Sequence, residues 1–333
     1  MTALGTTAAI FGCLGPQLLP DERAFFRDAD PFGFIIFARN VDNPDQLHRL
    51  TSDLRTAVGR DALVLVDQEG GRVQRLRAPH WRDWTPPLDA ITAAKDLATA
   101  CRIMALRASL IASELRSLGI DANCAPVADI ATAATHPFLR NRCYGTDATP
   151  VTAIARAVAG AYLAGGVLPV IKHMPGHGRA TADTHFDLPT VTTDAATLNA
   201  TDFAPFRALI DLPMAMTAHI VFSAYDAANP ATQSLRMIEV IRTGIGFQGL
   251  LMTDDLNMQA LSGTLAERTT RSLQAGCDIA LHCKGDMLEM LAVATAAGPM
   301  RDATLARAAR AIALRTPPPH IDIAAIEAEL AHA

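Results

Sequence analysis

Short apolar runs alternate with longer stretches of helical period along the whole chain. Eight runs read as strands: Ala8–Cys13, Gly33–Phe37, Leu63–Asp67, Asn123–Asp129, Leu168–His173, Met214–His219, Leu250–Asp254 and Asp278–His282. They lack polar alternation, which is the pattern of strands buried on both faces. Asn43-Pro44 places a cap and a first-turn proline ahead of a helix running to about Val58. A long helical pattern covers Ala93–Leu118 and ends at Gly119. Others fall near Pro150–Ala164, Leu198–Ile210, Ser234–Gly244, Leu265–Ala275 and Met287–Ala297. The stretch from Asp302 to Ala333 reads as terminal helix broken at Pro317–Pro319. Eight strand–helix alternations predict an α/β chain closed into a (β/α)8 TIM-type barrel, in preference to an open doubly wound sheet. No G-x-G-x-x-G follows the first strand, so a dinucleotide-binding sheet lacks its fingerprint. No Pro/Gly/Ser linker divides the chain. Residues 1–333 are expected to form one barrel domain with a C-terminal helical tail from about 302.

Composition narrows the partners. Of 333 residues, 50% are apolar, enough to fill a barrel, and the net charge is −5 with no long basic run, so no nucleic-acid partner is expected. Aromatics make up only 5%, so any sugar site should be small and mostly polar rather than a stacking platform. The six cysteines (Cys13, Cys101, Cys124, Cys143, Cys277, Cys283) match no zinc spacing and no compact disulfide scaffold, and are read as reduced. The apolar run before Cys13 is short, is not preceded by Lys or Arg, and breaks at Gly15-Pro16, unlike an export signal. No window reaches the ~18 apolar residues of a spanning helix. No membrane partner and a cytoplasmic location are expected. No oligomeric state can be read from the sequence, and a monomer is compatible with all of this.

The unusual polar residues fall at strand C-termini, where barrels carry their chemistry. The third strand ends in VDQEGGRVQR, with Asp67, Glu69, Arg72 and Arg75. The fourth ends at Asp129, with Arg142 in the following loop. The fifth runs into IKHMPGHGRATADTH, with Lys172, His173, His177, Asp183 and His185. The sixth ends at His219 and the seventh in TDDLNM, with Asp254 and Asp255. In extended chain, residues two apart point the same way, so Asp183 can bond one imidazole nitrogen of His185 and leave the other to move a proton. A polar exposed loop is the bland alternative. Asp254 follows an apolar run, and a carboxylate there costs solvation unless it is hydrogen-bonded or used. It suits a nucleophile toward an oxocarbenium-like carbon. Asp255 is expected to point elsewhere and cap the next helix. Glu69 and Arg72 are candidates to pair with each other. His177 is a candidate to bond its own turn, and His219 to line the pocket or satisfy the rim. His282 and Cys283 are candidates for rim packing, and Arg179 for a solvated loop charge.

KHMPGHG (172–178) with Asp183-Thr184-His185, and TDDLNM (253–258), resemble the family 3 glycoside hydrolases, in particular their bacterial β-N-acetylglucosaminidase branch of peptidoglycan recycling. VDQEGGRVQR (66–75), NCAPVADI (123–130), NRCYG (141–145) and MTAHIVF (216–222) resemble further blocks in the same order, covering roughly residues 8 to 285. The resemblance implies a two-step retaining mechanism. Asp254 would be the nucleophile, and His185, partnered by Asp183, the acid/base. Asp67 would accept from two sugar hydroxyls, while Arg75, Arg142, Lys172 and His173 would fix the remaining hydroxyls and the N-acetyl-bearing ring. The substrate would be a small carbohydrate or muropeptide, with no cofactor and no metal. Met174 stands where the family usually has an aromatic, Cys143 where it usually has serine, and the tail after about Leu281 matches no block. Some family members take their acid from a second domain, for which this chain has no room, and that favours the histidine-based branch.

Two other activities fit parts of the pattern. A metal-dependent barrel hydrolase could use His173, His177, His185, Asp183 and Asp254, but an H-x-H pair on the first strand is lacking and Lys172 would repel a cation. A retaining N-acetylglucosaminide phosphorylase could exploit the histidine acid/base, which leaves space for incoming phosphate. A sugar-binding protein without catalysis is disfavoured by the intact Asp254 and Asp183/His185.

Overall fold

A computed structural model describes residues 4–182, 184 and 187–332. Eight parallel strands close into a barrel: β1 (Thr7–Gly12), β2 (Pro31–Ile36), β3 (Leu63–Val66), β4 (Ala122–Asn123), β5 (Leu168–Met174), β6 (Met214–Thr217), β7 (Leu250–Asp255) and β8 (Ile279–His282). Each pairs with its neighbours in sequence, and β1 closes on β8 through Ala9↔Ala280 and Phe11↔His282. The expected barrel is therefore the observed one. Away from their C-terminal ends its strands are mostly apolar, because one face fills the interior and the other meets the helices. Val64, Leu65, Val170, Met214, Met252 and Ile279 are all fully buried, each contributing about 1.5–3 kcal/mol by leaving water.

The helices follow their local signals. Asn43 accepts from the Gln46 amide at 3.0 Å and Pro44 sets the first turn of Pro44–Val58. A Thr264/Glu267 capping box opens Leu265–Ala275. Other expectations needed adjustment. The helix expected over Ala93–Leu118 starts later and runs Leu97–Ser117, with the Asp96 side chain accepting from the Thr99 amide, while Ala93 ends a separate, unanticipated helix, Pro87–Ala93. The single helix expected over 198–210 is two short ones, Ala195–Ala200 and Ala204–Ala208. The helix expected over 234–244 runs as Leu235–Glu239 and then widens into a π-helical turn over Val240–Ile245. A helix not anticipated, Pro20–Ala29, joins β1 to β2. The fourth strand is shorter than Asn123–Asp129 because Pro126 has no N–H for the ladder. The chain nevertheless stays beside β5, with a bridge at Val127↔Lys172.

After helix Asp302–Ile312, the segment through Pro317–Pro319 leads to helix Ile323–His332 on the outside of Leu97–Ser117. Arg82–Glu327 and Arg102–Glu329 ion pairs hold it there. All six cysteines are free. No helix among the described residues is long and apolar enough to cross a membrane.

Candidate active site

The chain beyond β3 folds back as a hairpin, Gln68–Gly70 against Val73–Gln74. Gly70 has φ +101°, and a side chain there would collide with the Arg107 guanidinium, which donates to the Glu69 carbonyl at 2.6 Å. The buried Gln68 amide oxygen accepts from the Arg75 and Leu76 amides at 2.9 and 3.1 Å, which pins the returning arm. That return brings Arg75 Nη2 to 2.9 Å from Asp67 Oδ2.

β5 supplies two consecutive pocket residues. Register slips between Ile171 and Met174, so Lys172 and His173 both face the strand ends instead of alternating. Lys172 Nζ lies 2.7 Å from Asp67 Oδ1 and 2.6 Å from Glu69 Oε1. Arg142, from the loop after β4, grips Glu69 in fork geometry at 2.9 and 2.8 Å. Two carboxylates and three cations thus interlock under one wall. Burial opposes every charge in this cluster, but the facing Lys172 and Arg75 hold the Asp67 carboxyl well below its usual range. Arg142 and Lys172 do the same for Glu69. Lys172 and Arg142 are pushed up by the same carboxylates against the effect of burial. The expected Glu69–Arg72 pair does not form: Arg72 stacks 3.6 Å over the Phe138 ring and donates to the Phe138 carbonyl.

His173 Nδ1 is 2.7 Å from Asp129 Oδ2, which turns Nε2 toward Arg142 and the pocket. Asp129 Oδ1 also accepts from the His173 and His177 amides at 3.1 and 2.7 Å. His177 therefore bonds Asp129 through its backbone, while its ring Nε2 meets Thr184 Oγ1 rather than its own turn. Burial depresses the His177 imidazole to about 4, so it is neutral at pH 7. Gly178 leaves no room for a side chain: an added Cβ would lie 1.8 Å from the Ile130 carbonyl oxygen.

Asp254 lies at the end of β7, beside the register slip between Met252 and Asp255. Its Oδ1 accepts from the Asp255 amide at 2.8 Å. Among the described residues no Lys or Arg forms an ion pair with it, in contrast to Asp67 and Glu69. Burial alone would raise its carboxyl, but the His173 and His219 rings, the Asp255 amide and the Lys172 ammonium together hold it below the usual value. Asp255 does not cap a helix; Thr264 does that. Asp255 Oδ1 accepts from the Asn257 and Cys283 amides, both at 3.1 Å, tying the end of β7 to β8. Burial, with Asp254 adding to it, raises this carboxyl to about 6. His219 sits beneath the pocket between Thr232 Oγ1 (2.7 Å) and the Asp255 carbonyl (3.1 Å). His282 bonds Glu289 at 3.1 Å, and Arg179 pairs with Asp202 at 2.7 Å rather than with solvent.

A pocket of about 350 Å³ opens at the C-terminal mouth of the barrel, at the small end for a ligand site. It brings together Asp67, Arg75, Arg142, Lys172, His173 and Asp254, all anticipated from sequence, with apolar walls from Phe37, Phe138, Met216 and Met258. Asp183 and His185 lie outside the described residues; Thr184, between them, lines the pocket. The sequence reading missed the coupling roles of Glu69 and Asp129. Both are buried carboxylates whose side-chain partners, Arg142 and Lys172 for Glu69 and His173 for Asp129, are more than 40 positions away. Among the described residues no group of three or more His, Cys, Asp or Glu is placed to hold a metal ion.

Comparison with known proteins agrees with this geometry. Residues 21–314 match the family described as "Glycosyl hydrolase family 3 N terminal domain". A β-hexosaminidase of Methylococcus capsulatus is 36% identical over 280 residues, 82% of each chain. One of Xylella fastidiosa is 36% identical over 286 residues, 84% of each. The crystal structure of NagZ from Neisseria gonorrhoeae in complex with N-trifluoroacetyl-D-glucosamine superposes with a TM-score of 0.84 at 27% identity, covering 99% of this chain and 95% of that one. A closed barrel with this pocket, matched along most of its length, leads to one assignment: the chain belongs to glycosyl hydrolase family 3 and is a glycoside hydrolase.

Proposed function

We propose that the protein is a retaining β-N-acetylglucosaminidase that removes terminal N-acetylglucosamine from peptidoglycan-derived muropeptides in the cytoplasm. The β-hexosaminidase relatives and the structural likeness to a NagZ bound to a glucosamine derivative support the substrate class. The observation that carries the chemistry is Asp254. It is a carboxylate held below its usual pKa in the pocket wall, with no Lys or Arg ion-paired to it among the described residues, while its acidic neighbours Asp67 and Glu69 are committed to Lys172, Arg75 and Arg142.

In this reading Asp254 attacks the anomeric carbon as the glycosidic bond breaks, giving a covalent glycosyl-enzyme. His185, oriented by Asp183, protonates the leaving oxygen. It then takes a proton from the water that releases the sugar and regenerates Asp254. Asp67 accepts from two sugar hydroxyls, and a missing hydroxyl would leave a buried acceptor short of a partner, which makes such a contact selective. Arg75, Arg142, Lys172 and His173 Nε2 supply donors around the rest of the ring.

The test is hydrolysis of a chromogenic N-acetyl-β-D-glucosaminide, with and without inorganic phosphate, by wild type and Asp254→Asn. The variant is expected to lose at least about 10³-fold in kcat, as removal of a nucleophile does. A 2-deoxy-2-fluoro sugar should add one sugar mass to Asp254 of the wild type. An Asn variant retaining a tenth of the activity, or label on another residue, refutes the assignment. Sugar phosphate as the main product would refute hydrolysis in favour of phosphorolysis.

A further inference from the structure

Among the described residues the Asp254 carboxylate accepts one hydrogen bond, from the Asp255 amide at 2.8 Å. A carboxylate held in this way is only as well aimed as the Asp255 backbone. That backbone lies where β7 leaves the regular ladder. Pairing with β6 ends at Met252↔Met216, and the register to β8 slips between Met252 and Asp255. On the β8 side other bonds hold the strand end. The Leu281 amide donates to Thr253 Oγ1 at 2.9 Å, the Cys283 amide to Asp255 Oδ1 at 3.1 Å, and the Leu256 amide to the Leu281 carbonyl at 3.0 Å. On the β6 side an imidazole stands in for the ladder. His219, just beyond β6, places Nε2 3.1 Å from the Asp255 carbonyl. The N–H of Asp255 thus holds the Asp254 carboxylate, and its C=O is held by His219.

The ring is itself locked. His219, Thr217 and Thr232 are completely buried. A carbonyl oxygen only accepts, so Nε2 carries the proton. Burial holds the imidazole below its usual value, neutral at pH 7, which makes Nδ1 an acceptor. Nδ1 lies 2.7 Å from Thr232 Oγ1. The Thr232 hydroxyl donates to it, in preference to the Ala218 carbonyl at 3.1 Å, and accepts from Thr217 Oγ1 at 2.8 Å. Thr232 sits in the tight turn Ala231–Gln233, anchored by the Ala231 amide on the Ile220 carbonyl at 2.7 Å. Both ring nitrogens are therefore bonded, as a buried imidazole requires.

We propose that His219 is a positioning residue for the nucleophile: donating Nε2–H to the Asp255 carbonyl, with Thr232 fixing that tautomer, it sets the Asp255 amide that aims the Asp254 carboxylate. His219 does not line the pocket, so it acts through Asp255 and not on the sugar. This inference rests on the reading of Asp254 as nucleophile.

The experiment uses 2,4-dinitrophenyl N-acetyl-β-D-glucosaminide, whose leaving group needs no proton, with wild type, His219→Phe, His219→Gln, Thr232→Val and Asp254→Asn. Attack by the nucleophile is read from kcat/KM, and the sugar contacts from inhibition by free N-acetylglucosamine. His219→Phe keeps a ring and removes both nitrogens. It should lose about 10²-fold in kcat/KM, as a misplaced reacting group does, with inhibition within about twofold of wild type. His219→Gln keeps a side-chain N–H and should recover about tenfold of that loss. Thr232→Val leaves the imidazole, removes its second anchor and should lose about three- to tenfold, the worth of one hydrogen bond. A Phe variant within about twofold of wild type in kcat/KM, one whose inhibition weakens as far as its kcat/KM falls, or a Gln variant no better than Phe overturns the inference alone. If the Phe variant does not fold, a Thr232→Val protein with wild-type kinetics overturns it. A wild type that cleaves nothing, or an Asp254→Asn variant as active as wild type, overturns the functional reading and this inference with it.

Discussion

Replacing Glu69 by Gln tests whether the interlocked charges shape the sugar-facing wall. Glu69 is 3% exposed and takes three contacts: Arg142 Nε at 2.9 Å, Arg142 Nη2 at 2.8 Å and Lys172 Nζ at 2.6 Å. Glutamine keeps the shape but offers one acceptor oxygen and turns an NH₂ toward a cation. The wall would then hold one carboxylate against Arg75, Arg142 and Lys172. Breaking a buried pair by removing one partner costs about 3–5 kcal/mol, because the remaining charge stays desolvated. Lys172 keeps Asp67 at 2.7 Å, so the low end, about 3 kcal/mol, is expected. Urea unfolding at pH 7, with equal slopes for the two proteins, reads that difference directly. Steady-state kinetics on a chromogenic N-acetylglucosaminide should show the rise mainly in KM, since these donors meet the sugar before as well as during bond cleavage. A variant within about 0.5 kcal/mol of wild type, with unchanged KM, would show that Glu69 neither holds Arg142 nor places Lys172.

Other outcomes follow from single features. Asp255 binds its proton more tightly in the folded state than a free carboxyl does, with its value raised to about 6. The stability it contributes is full below about pH 4 and lost as pH rises through 6. Asp255→Asn removes this dependence, so urea unfolding from pH 4 to 7 should show the variant gaining steadily on wild type, and parallel curves would refute the placement. Gly178→Ala puts a methyl into the Ile130 carbonyl and should cost about 3 kcal/mol or more by overpacking. A wild-type urea midpoint for that variant would show that the turn yields easily.

The path from sequence to site was uneven for physical reasons. The eight strands were legible because burial on both faces leaves apolar runs that no connector imitates, and Leu63–Val66 or Leu250–Asp255 could be placed almost to the residue. Helix Pro44–Val58 was legible because its cap and first-turn proline are local chemistry. Helices 195–208 and 235–245 were read less well: the first breaks where Pro205 removes an amide donor and opens a new helix, a local signal passed over, whereas the π-helical turn over Val240–Ile245 carries no such marker. Among the polar groups, position at a strand end was enough to nominate Asp67, Lys172, His173, Arg142, Arg75 and Asp254, because a closed parallel barrel sends all such ends to one mouth.

Pairing was another matter. By proximity in the chain Glu69 should meet Arg72, yet it meets Arg142 and Lys172, 73 and 103 positions away. Asp255 likewise joins Cys283 instead of a nearby helix. The amino-acid sequence by itself determined the barrel and which side chains would gather at its mouth, since periodicity and strand ends are properties of short stretches. Only the tertiary structure decided which charges neutralise one another and which carboxylate stands apart. Those choices depend on distances between strands that are far apart along the chain and are set by closure and register.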